Sequence, residues 1–182
     1  MIIRKATTED LEGICEVAEA VKLDYDAPQK FGFLVYGLEQ EKYNHRIKSS
    51  DFFYVAVHDD SVVGFLMCYD NETLNRLKES GELDHEDNLT KTVSEQQGDY
   101  IFGDQIGVIP DKTLRGVGRS LMQKLFDDMQ SKGIDTMYVG VLEEPALNEA
   151  SKIFVERLGF NHQASVTNSD EHQWGIYKLQ LS

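Results

Sequence analysis

The sequence predicts a mixed α/β fold, in which strands flank helices in one mixed sheet, on three observations. Strand-like and helix-like hydrophobic periods alternate along the chain instead of collecting into separate blocks. The 182 residues, 41% of them hydrophobic, are enough for one sizeable core, and a second full domain would be crowded. Two pairs of short β-branched and aromatic runs, each joined by a polar turn, read as hairpins.

The elements follow in order. Residues 2–6 read as a strand, and Thr7, Thr8, Glu9 and Asp10 then look like a helix start before Leu11, Ile14, Cys15, Ala18 and Val21, spaced for one helical face. Between residues 31 and 48 the pattern is less sharp, and Leu34, Leu38, Tyr43 and Ile47 allow one or two helices after Pro28. Residues 51–57 and 61–69 form the first hairpin around the turn His58-Asp59-Asp60-Ser61. Residues 100–108 make a strand that Pro110 ends, and residues 114–130 a helix with Leu121, Met122, Leu125, Phe126 and Met129 on one face. Gly133 stands where a helix C-cap belongs. Residues 136–142 are a further strand and 146–158 a further helix, stopped by Gly159. Two last strands, 160–166 and 174–179, flank the turn sequence TNSDEH.

Residues 70–99 differ from their surroundings, with nine acidic against three basic residues and few large apolar side chains after Leu77. That composition predicts an acidic insertion, mobile or partly helical, of the kind that serves as a lid or is a disordered insertion. Asp84, His85, Glu86 and Asp87 lie inside it, but the five histidines show no paired ligand spacing, so no metal site is expected.

The formal net charge of −14, from 32 acidic and 18 basic residues, argues against a nucleic acid partner, since phosphate backbones require a basic face. A cationic substrate would suit this field, and so would plain solubility. The longest apolar run, residues 62–69, falls far short of a membrane span and is interrupted by Gly64. The start MIIRKATTED carries charges where a signal peptide needs apolar residues, so a soluble, cytoplasmic protein is expected. Cys15 and Cys68 sit inside apolar patterns and read as buried, reduced thiols.

The chemistry is concentrated in GVIPDKTLRGVGRSLMQKL, residues 107–125. A strand feeding a Gly-rich turn at a helix start presents backbone N–H groups and the positive end of the helix dipole, a setting suited to phosphate. Gly116 and Gly118 permit close approach, and Lys112, Arg115 and Arg119 form a basic island in an acidic chain. Neither the P-loop pattern nor the G-x-G-x-x-G dinucleotide pattern is present. On this turn alone, two glycines that merely ease a tight turn explain the sequence equally well.

The wider sequence resembles the GNAT superfamily of acyl-coenzyme A dependent N-acyltransferases. That family's signature is a strand ending V-x-P followed by Q/R-x-x-G-x-G/A at a helix start. Here stand Val108-Ile109-Pro110 and then Thr113-Leu114-Arg115-Gly116-Val117-Gly118. Its second block, N-x-x-A followed by an aromatic and G-F, corresponds to NEASKIFVERLGF, with Ser151 at the alanine position after Asn148. The start IIRKATTEDL is also like the family's first strand and helix, and the likeness covers nearly the whole chain. Within the family, the sequence looks most like a poorly characterised bacterial branch of predicted acetyltransferases.

The resemblance implies one domain over residues 1–182, with a mostly antiparallel sheet, two splayed parallel strands and flanking helices. It implies acetyl-coenzyme A as cosubstrate, with no metal, its pantetheine arm lying between the parallel strands. The pyrophosphate would rest on Arg115, Gly116, Val117, Gly118, Arg119 and Ser120, with Asn148 and Ser151 contributing from the second block. The thioester carbonyl would be held by main-chain N–H groups near Ile106, Gly107 and Val108. An amine of a small molecule or peptide, cationic if the acidic field matters, would attack directly, and a general base would take its proton. Asp104 is the candidate base, as a buried carboxylate on the strand face of Ile106 and Val108, against the alternative of an ordinary solvent-facing aspartate. Thr113 departs from the usual Gln or Arg. Val155 stands where many members carry the tyrosine that protonates the leaving thiolate, and Tyr177 is the substitute candidate. Two functions therefore remain, an active N-acetyltransferase or a catalytically silent coenzyme A binding sensor or interaction domain; a homodimer is compatible with either.

Overall fold

In the computed structural model the described residues are 1–26, 31–83, 87–111 and 114–182. Among these residues, β1 (Ile2–Lys5), β2 (Phe53–His58), β3 (Ser61–Asp70), β4 (Tyr100–Val108), β5 (Thr136–Glu144), β6 (Asn161–Thr167) and β7 (Gln173–Gln180) form one sheet in the order β1-β2-β3-β4-β5-β7-β6. Two compact units make up the chain, residues 1–68 with 104–133 and residues 69–103 with 134–182, and β4 runs through both.

In the first unit, β1 (Ile2–Lys5) and β3 (Ser61–Asp70) both pair antiparallel with β2 (Phe53–His58). The 58–61 turn forms as expected, with Asp59 and Asp60 both at positive φ. After β1, Thr7 and Asp10 close a capping box, and the two terminal guanidinium nitrogens of Arg4 each donate to Asp10 at 2.7 Å. Helix α1 (Leu11–Ala20) then buries Ile14, Val17 and Ala18 on one face, with Val21 just beyond its end. Cys68 is buried, but Cys15 is only half-buried, contrary to the expectation for both thiols. The less clear stretch before residue 48 yields one helix among the described residues, α2 (Gln40–Ser49), which buries Tyr43 and Arg46.

Strand β4 (Tyr100–Val108) leads to α5 (Val117–Ser131), which buries Val117, Leu121, Met122, Leu125 and Met129, while Phe126 stays half-buried. The helix starts three residues later than the periodicity predicts, because Gly116 before it is left-handed (φ 87°, ψ −3°) and breaks helical propagation. The other end of α5 finishes on Lys132, with Gly133 in the same left-handed region (φ 73°). Asp128 fixes the helix to the sheet, accepting from Tyr54 Oη at 2.9 Å and from Lys124 Nζ at 2.7 Å.

In the second unit, the first residues of β4 pair parallel with β5 (Thr136–Glu144) from Tyr100↔Thr136 to Gly103↔Val139. That ladder ends at Gly103 and Val139, although both strands run on for five residues. Strand β5 pairs antiparallel with β7 (Gln173–Gln180), and β7 with β6 (Asn161–Thr167). Helix α6 (Glu149–Arg157) follows β5.

Of the two alternatives for the acidic stretch, mobile or partly helical, its described residues take the helical one. They form α3 (Asn71–Glu79) and α4 (Asn88–Ser94), N-capped by Asp70 and Asp87. Leu74, Leu77, Leu89 and Val93 are buried. Leu89 lies where a side chain on Gly140 of β5 would fall, so α4 covers that strand closely. Asn88 Nδ2 donates to the Thr167 carbonyl at 2.7 Å, and Asn168 Nδ2 to Asp87 at 3.1 Å, tying α4 to the β6–β7 turn.

Candidate functional site

Strand β4 offers two different faces. Gln105 and Gly107 are buried on one, while on the other Asp104 is exposed and Ile106 and Val108 are half-buried. The period-two grouping of Asp104, Ile106 and Val108 holds. The carboxylate itself is exposed, which is the solvent-facing alternative and not the buried base.

Glycines draw neighbouring elements against β4. A Cβ on Gly107 would sit 3.0 Å from Phe65 and 3.3 Å from Val17. A Cβ on Gly64 would lie 3.0 Å from the Gly107 carbonyl and 3.2 Å from both Val108 and Val117. The glycine that interrupts the apolar run of β3 therefore seats the first residue of α5 directly on the β3–β4 pair. Val117, at 1% exposure, is an anchor, and only its backbone can serve a ligand.

Around that anchor, Arg115, Gly116 and Arg119 are exposed, and Gly118 and Ser120 are half-buried. Ser120 N makes the first helical bond of α5, to the Gly116 carbonyl at 2.9 Å. The amides of Val117, Gly118 and Arg119 precede it and have no carbonyl four residues back inside the helix. Among the described residues, nothing beyond the chain neighbours lies within 4 Å of a Cβ placed on Gly116. Neither Arg115 nor Arg119 has an ion-pair partner among the described residues. Lys112 and Thr113 lie outside the described residues.

The buried face of β4 carries a network that the sequence reading misses. Tyr43 Oη donates to Gln105 Oε1 at 2.8 Å, and Gln105 Nε2 donates to the Tyr36 carbonyl at 2.9 Å. Leu38 N in turn donates to Tyr43 Oη at 3.4 Å. Burial, with the Asp104 charge adding to it, pushes the Tyr43 hydroxyl up to about 12, so it stays a proton donor at neutral pH. Partners 62 residues apart leave no periodic signal in a sequence.

In the second unit, Asn148 is 6% exposed and N-caps α6, its Oδ1 accepting from Ser151 N at 3.3 Å. This gives both residues of the second block a structural task at the helix start. Val155 is buried on that helix. Tyr177 is 2% exposed, its ring edge-on to His162 at 5.2 Å. Burial, and after it the charges of Glu156 and Glu143, raise its hydroxyl above the ordinary tyrosine value.

Glu143, near the end of β5, is a carboxylate the sequence reading passes over. It accepts from Ser165 Oγ at 2.7 Å and Gln173 Nε2 at 3.1 Å, and His162 Nε2 lies 3.3 Å from its other oxygen. Its signal is the acidic pair at the end of an otherwise apolar strand. Among the described residues, no group of three or more His, Cys, Asp or Glu could hold a metal ion, and residues 84–86 lie outside them. No helix among the described residues is long and apolar enough to cross a membrane.

Residues 17–160 match the model of the acetyltransferase (GNAT) family. A ribosomal-protein-alanine N-acetyltransferase of Salmonella typhimurium is 41% identical over 56 residues, 31% of this chain and 36% of that protein. The match therefore spans about a third of the length of the curated relatives. Among solved structures, the PaiA N-acetyltransferase from Thermoplasma acidophilum in complex with coenzyme A has a TM-score of 0.65 at 17% identity, covering 98% of each chain. The NatC complex bound to a Gag peptide and CoA gives 0.68 at 14% identity, covering 100% of this chain and 98% of that one. At such identities these structures speak for the fold. The strand, proline and left-handed glycine that open α5, together with the family match over most of the chain, establish that this protein belongs to the GNAT acetyltransferase family.

Proposed function

We propose that the chain is an N-acetyltransferase that moves the acetyl group of acetyl-coenzyme A to a primary amine of a peptide or small molecule by direct attack. The observation that carries this reading is the start of α5: a left-handed Gly116, three first-turn amides, and exposed Arg115 and Arg119 in a chain of net charge −14. This donor set fits a pyrophosphate. Arg115, Gly116, Val117, Gly118, Arg119 and Ser120 would hold it, the arginines replacing the contact that Thr113 cannot supply.

Acetyl-coenzyme A supplies an activated thioester. The main chain at Ile106, Gly107 and Val108, where β4 has run past its last pair with β5, would donate to the thioester carbonyl. The amine nitrogen forms a bond to the acetyl carbon, the carbon–sulfur bond breaks, and the amine proton leaves. A lysine-like ammonium, with a pKa of about 10.4, must first be deprotonated. Asp104 is the base in this scheme, its exposed carboxylate reaching the amine directly or through water. Val155 has no proton to give, so the thiolate leaves unassisted, at a pKa of about 8.5. The relatives and structural neighbours that carry protein or peptide names favour a peptide amine, and the acidic surface favours a cationic one. Thiol release from acetyl-coenzyme A, measured with an alanine-first hexapeptide, a lysine-bearing peptide, spermidine and an aminoglycoside, tests the proposal.

Val155 favours a second reading, a coenzyme A binding domain without turnover. Calorimetric binding of coenzyme A with no thiol release across that panel would establish it. Absence of both binding and turnover would refute both readings.

A further inference from the structure

Helix α4 lies on one face of the sheet in the second unit, and little apolar contact holds it there. The register places Gly140, Leu142, Trp174 and Ile176 on that face, since Gly140 opposes Ile176 and Leu142 opposes Trp174. Leu89 occupies the notch that Gly140 leaves: a Cβ there would sit 2.5 Å from Leu89 Cδ2. Of the seven residues of α4, Leu89, Thr90 and Val93 are buried, and the Thr90 hydroxyl is turned to Asp87 at 2.5 Å. Leu89 and Val93 therefore supply the buried apolar contact of a two-turn helix, a length that is marginal on its own.

The same face carries polar atoms that the closed arrangement leaves unsatisfied. Trp174 Nε1 is buried and has no acceptor among the described residues. Tyr100 opposes Thr136, which alternation puts on the face of Tyr138 and Gly140, and its ring stands edge-on to Tyr138 at 5.4 Å. Its hydroxyl is likewise buried without a partner among the described residues. Each buried donor without an acceptor forgoes a bond that water would give it, a cost of the same order as the gain from one buried aliphatic side chain. Admitting water to the face restores those bonds, so the polar fastenings at the rim of α4 decide whether it stays closed.

Those fastenings converge on Asn168, in the β6–β7 turn. Its Nδ2 donates to Asp87 at 3.1 Å and its Oδ1 accepts from Leu89 N at 3.3 Å, so one carboxamide holds both the cap residue and the seated leucine. Asn88 Nδ2 adds its bond to the Thr167 carbonyl, and Lys78 Nζ of α3 donates to Ser94 Oγ at 2.8 Å at the far end of α4. We propose that α4 is a latched cover, which lifts from the β5–β7 face as one unit at a lower cost than global unfolding, with Asn168 as its latch. Opening bares Gly140 and Trp174 while the β5–β7–β6 ladder stays paired. The motion requires no coenzyme and is independent of the acetyltransferase reading.

Hydrogen exchange of the full chain, read amide by amide by NMR at a series of urea concentrations below the unfolding transition, tests this. The amides of Lys91 and Glu95, bonded to the Asp87 and Lys91 carbonyls, report the two ends of α4. In the wild type they should share one opening constant, exchange at least about ten-fold faster than the paired amides of β7, and depend less steeply on urea, because lifting a cover exposes less surface than global unfolding. Asn168→Ala removes both carboxamide bonds and should speed exchange in α4 about ten-fold. Gly140→Ala fills the notch that seats Leu89 and should act in the same direction. Leu179→Ala deletes a buried side chain on the opposite face of β7, and should speed exchange in β7 while leaving α4 unchanged. A common rate and urea slope for α4 and β7 in the wild type overturns the proposal, as do separate opening constants for Lys91 and Glu95, which would mean fraying from one end. Equal acceleration of α4 and β7 in Leu179→Ala also overturns it, and the wild-type series decides the matter even if that variant does not fold. Unchanged exchange in α4 of Asn168→Ala refutes the latch.

Discussion

Replacing Gly116 with Ala isolates the backbone of the coenzyme turn. At φ 87° and ψ −3° an L side chain is strained, and since among the described residues nothing beyond the chain neighbours lies within 4 Å of the new Cβ, the cost is conformational alone. Left-handed backbone costs a non-glycine residue about 1–2 kcal/mol. For a chain of this size each kcal/mol moves the melting temperature by about 2–4 °C, so Gly116→Ala should lower Tm by about 2–8 °C. Gly133 supplies the control, because it sits at the far end of the same helix at φ 73° with equally open surroundings. Gly133→Ala should lose a similar amount of stability. Only Gly116→Ala should also weaken coenzyme A binding, by re-aiming the amides of Val117, Gly118 and Arg119. Calorimetric melting and isothermal titration on the same preparations give both quantities. A wild-type Tm in Gly116→Ala would refute the left-handed cap, and equal loss of coenzyme affinity in both variants would refute the local role of the turn.

Gly64→Ala places a methyl against the Gly107 carbonyl, Val108 and Val117 at 3.0–3.2 Å, and overpacking of this kind costs about 1–3 kcal/mol; denaturant unfolding should show that loss, with weaker coenzyme binding as α5 shifts. Asp104→Asn should lower turnover and leave Tm unchanged, as an exposed side chain allows, and Val155→Tyr should raise turnover without changing coenzyme affinity; an unimpaired rate per folded molecule removes Asp104 from the mechanism. Burial pushes Tyr43 and Tyr100 up to about 12, whereas an unfolded tyrosine ionises near 10. Their contribution to stability is therefore fully present below pH of about 10 and is lost between about 10 and 12, at no more than about 1.4 kcal/mol per pH unit each. Tyr43→Phe should make that alkaline fall shallower, and identical alkaline slopes for the two proteins would contradict the burial argument.

The legible parts of this fold are those where a local signal and the tertiary outcome agree. Pro110 and Gly133 bound β4 and α5 in the sequence and do so in the structure, whereas Gly116, inside the helix that the periodicity predicts, moves its start to Val117. Residues 70–99 are less legible because acidic density hides two short amphipathic helices. Their few apolar residues, Leu74, Leu77, Leu89 and Val93, are all buried, and the caps Asp70 and Asp87 count as mere charge in a composition. At the site, the main-chain donors of the turn follow from the motif, because glycine and proline encode backbone geometry directly. Gln105, Tyr43 and Glu143 do not follow, since each depends on partners distant in sequence. Gly64 reads as an interruption of an apolar strand and proves to be the contact that seats α5. Alternation could not decide between the two readings of Asp104, buried base or solvent-facing aspartate, for it gives the face of a residue and not what covers that face.

The central claim is that the start of α5 binds the coenzyme, and titration of coenzyme A into the wild type and Gly118→Glu tests it most directly. An acidic side chain in the first turn of a helix favours the helix, so the substitution should leave the fold intact while placing bulk and negative charge where the pyrophosphate would rest. The account predicts binding to the wild type and none to Gly118→Glu at an unchanged melting temperature. Equal affinity in the two proteins would contradict it.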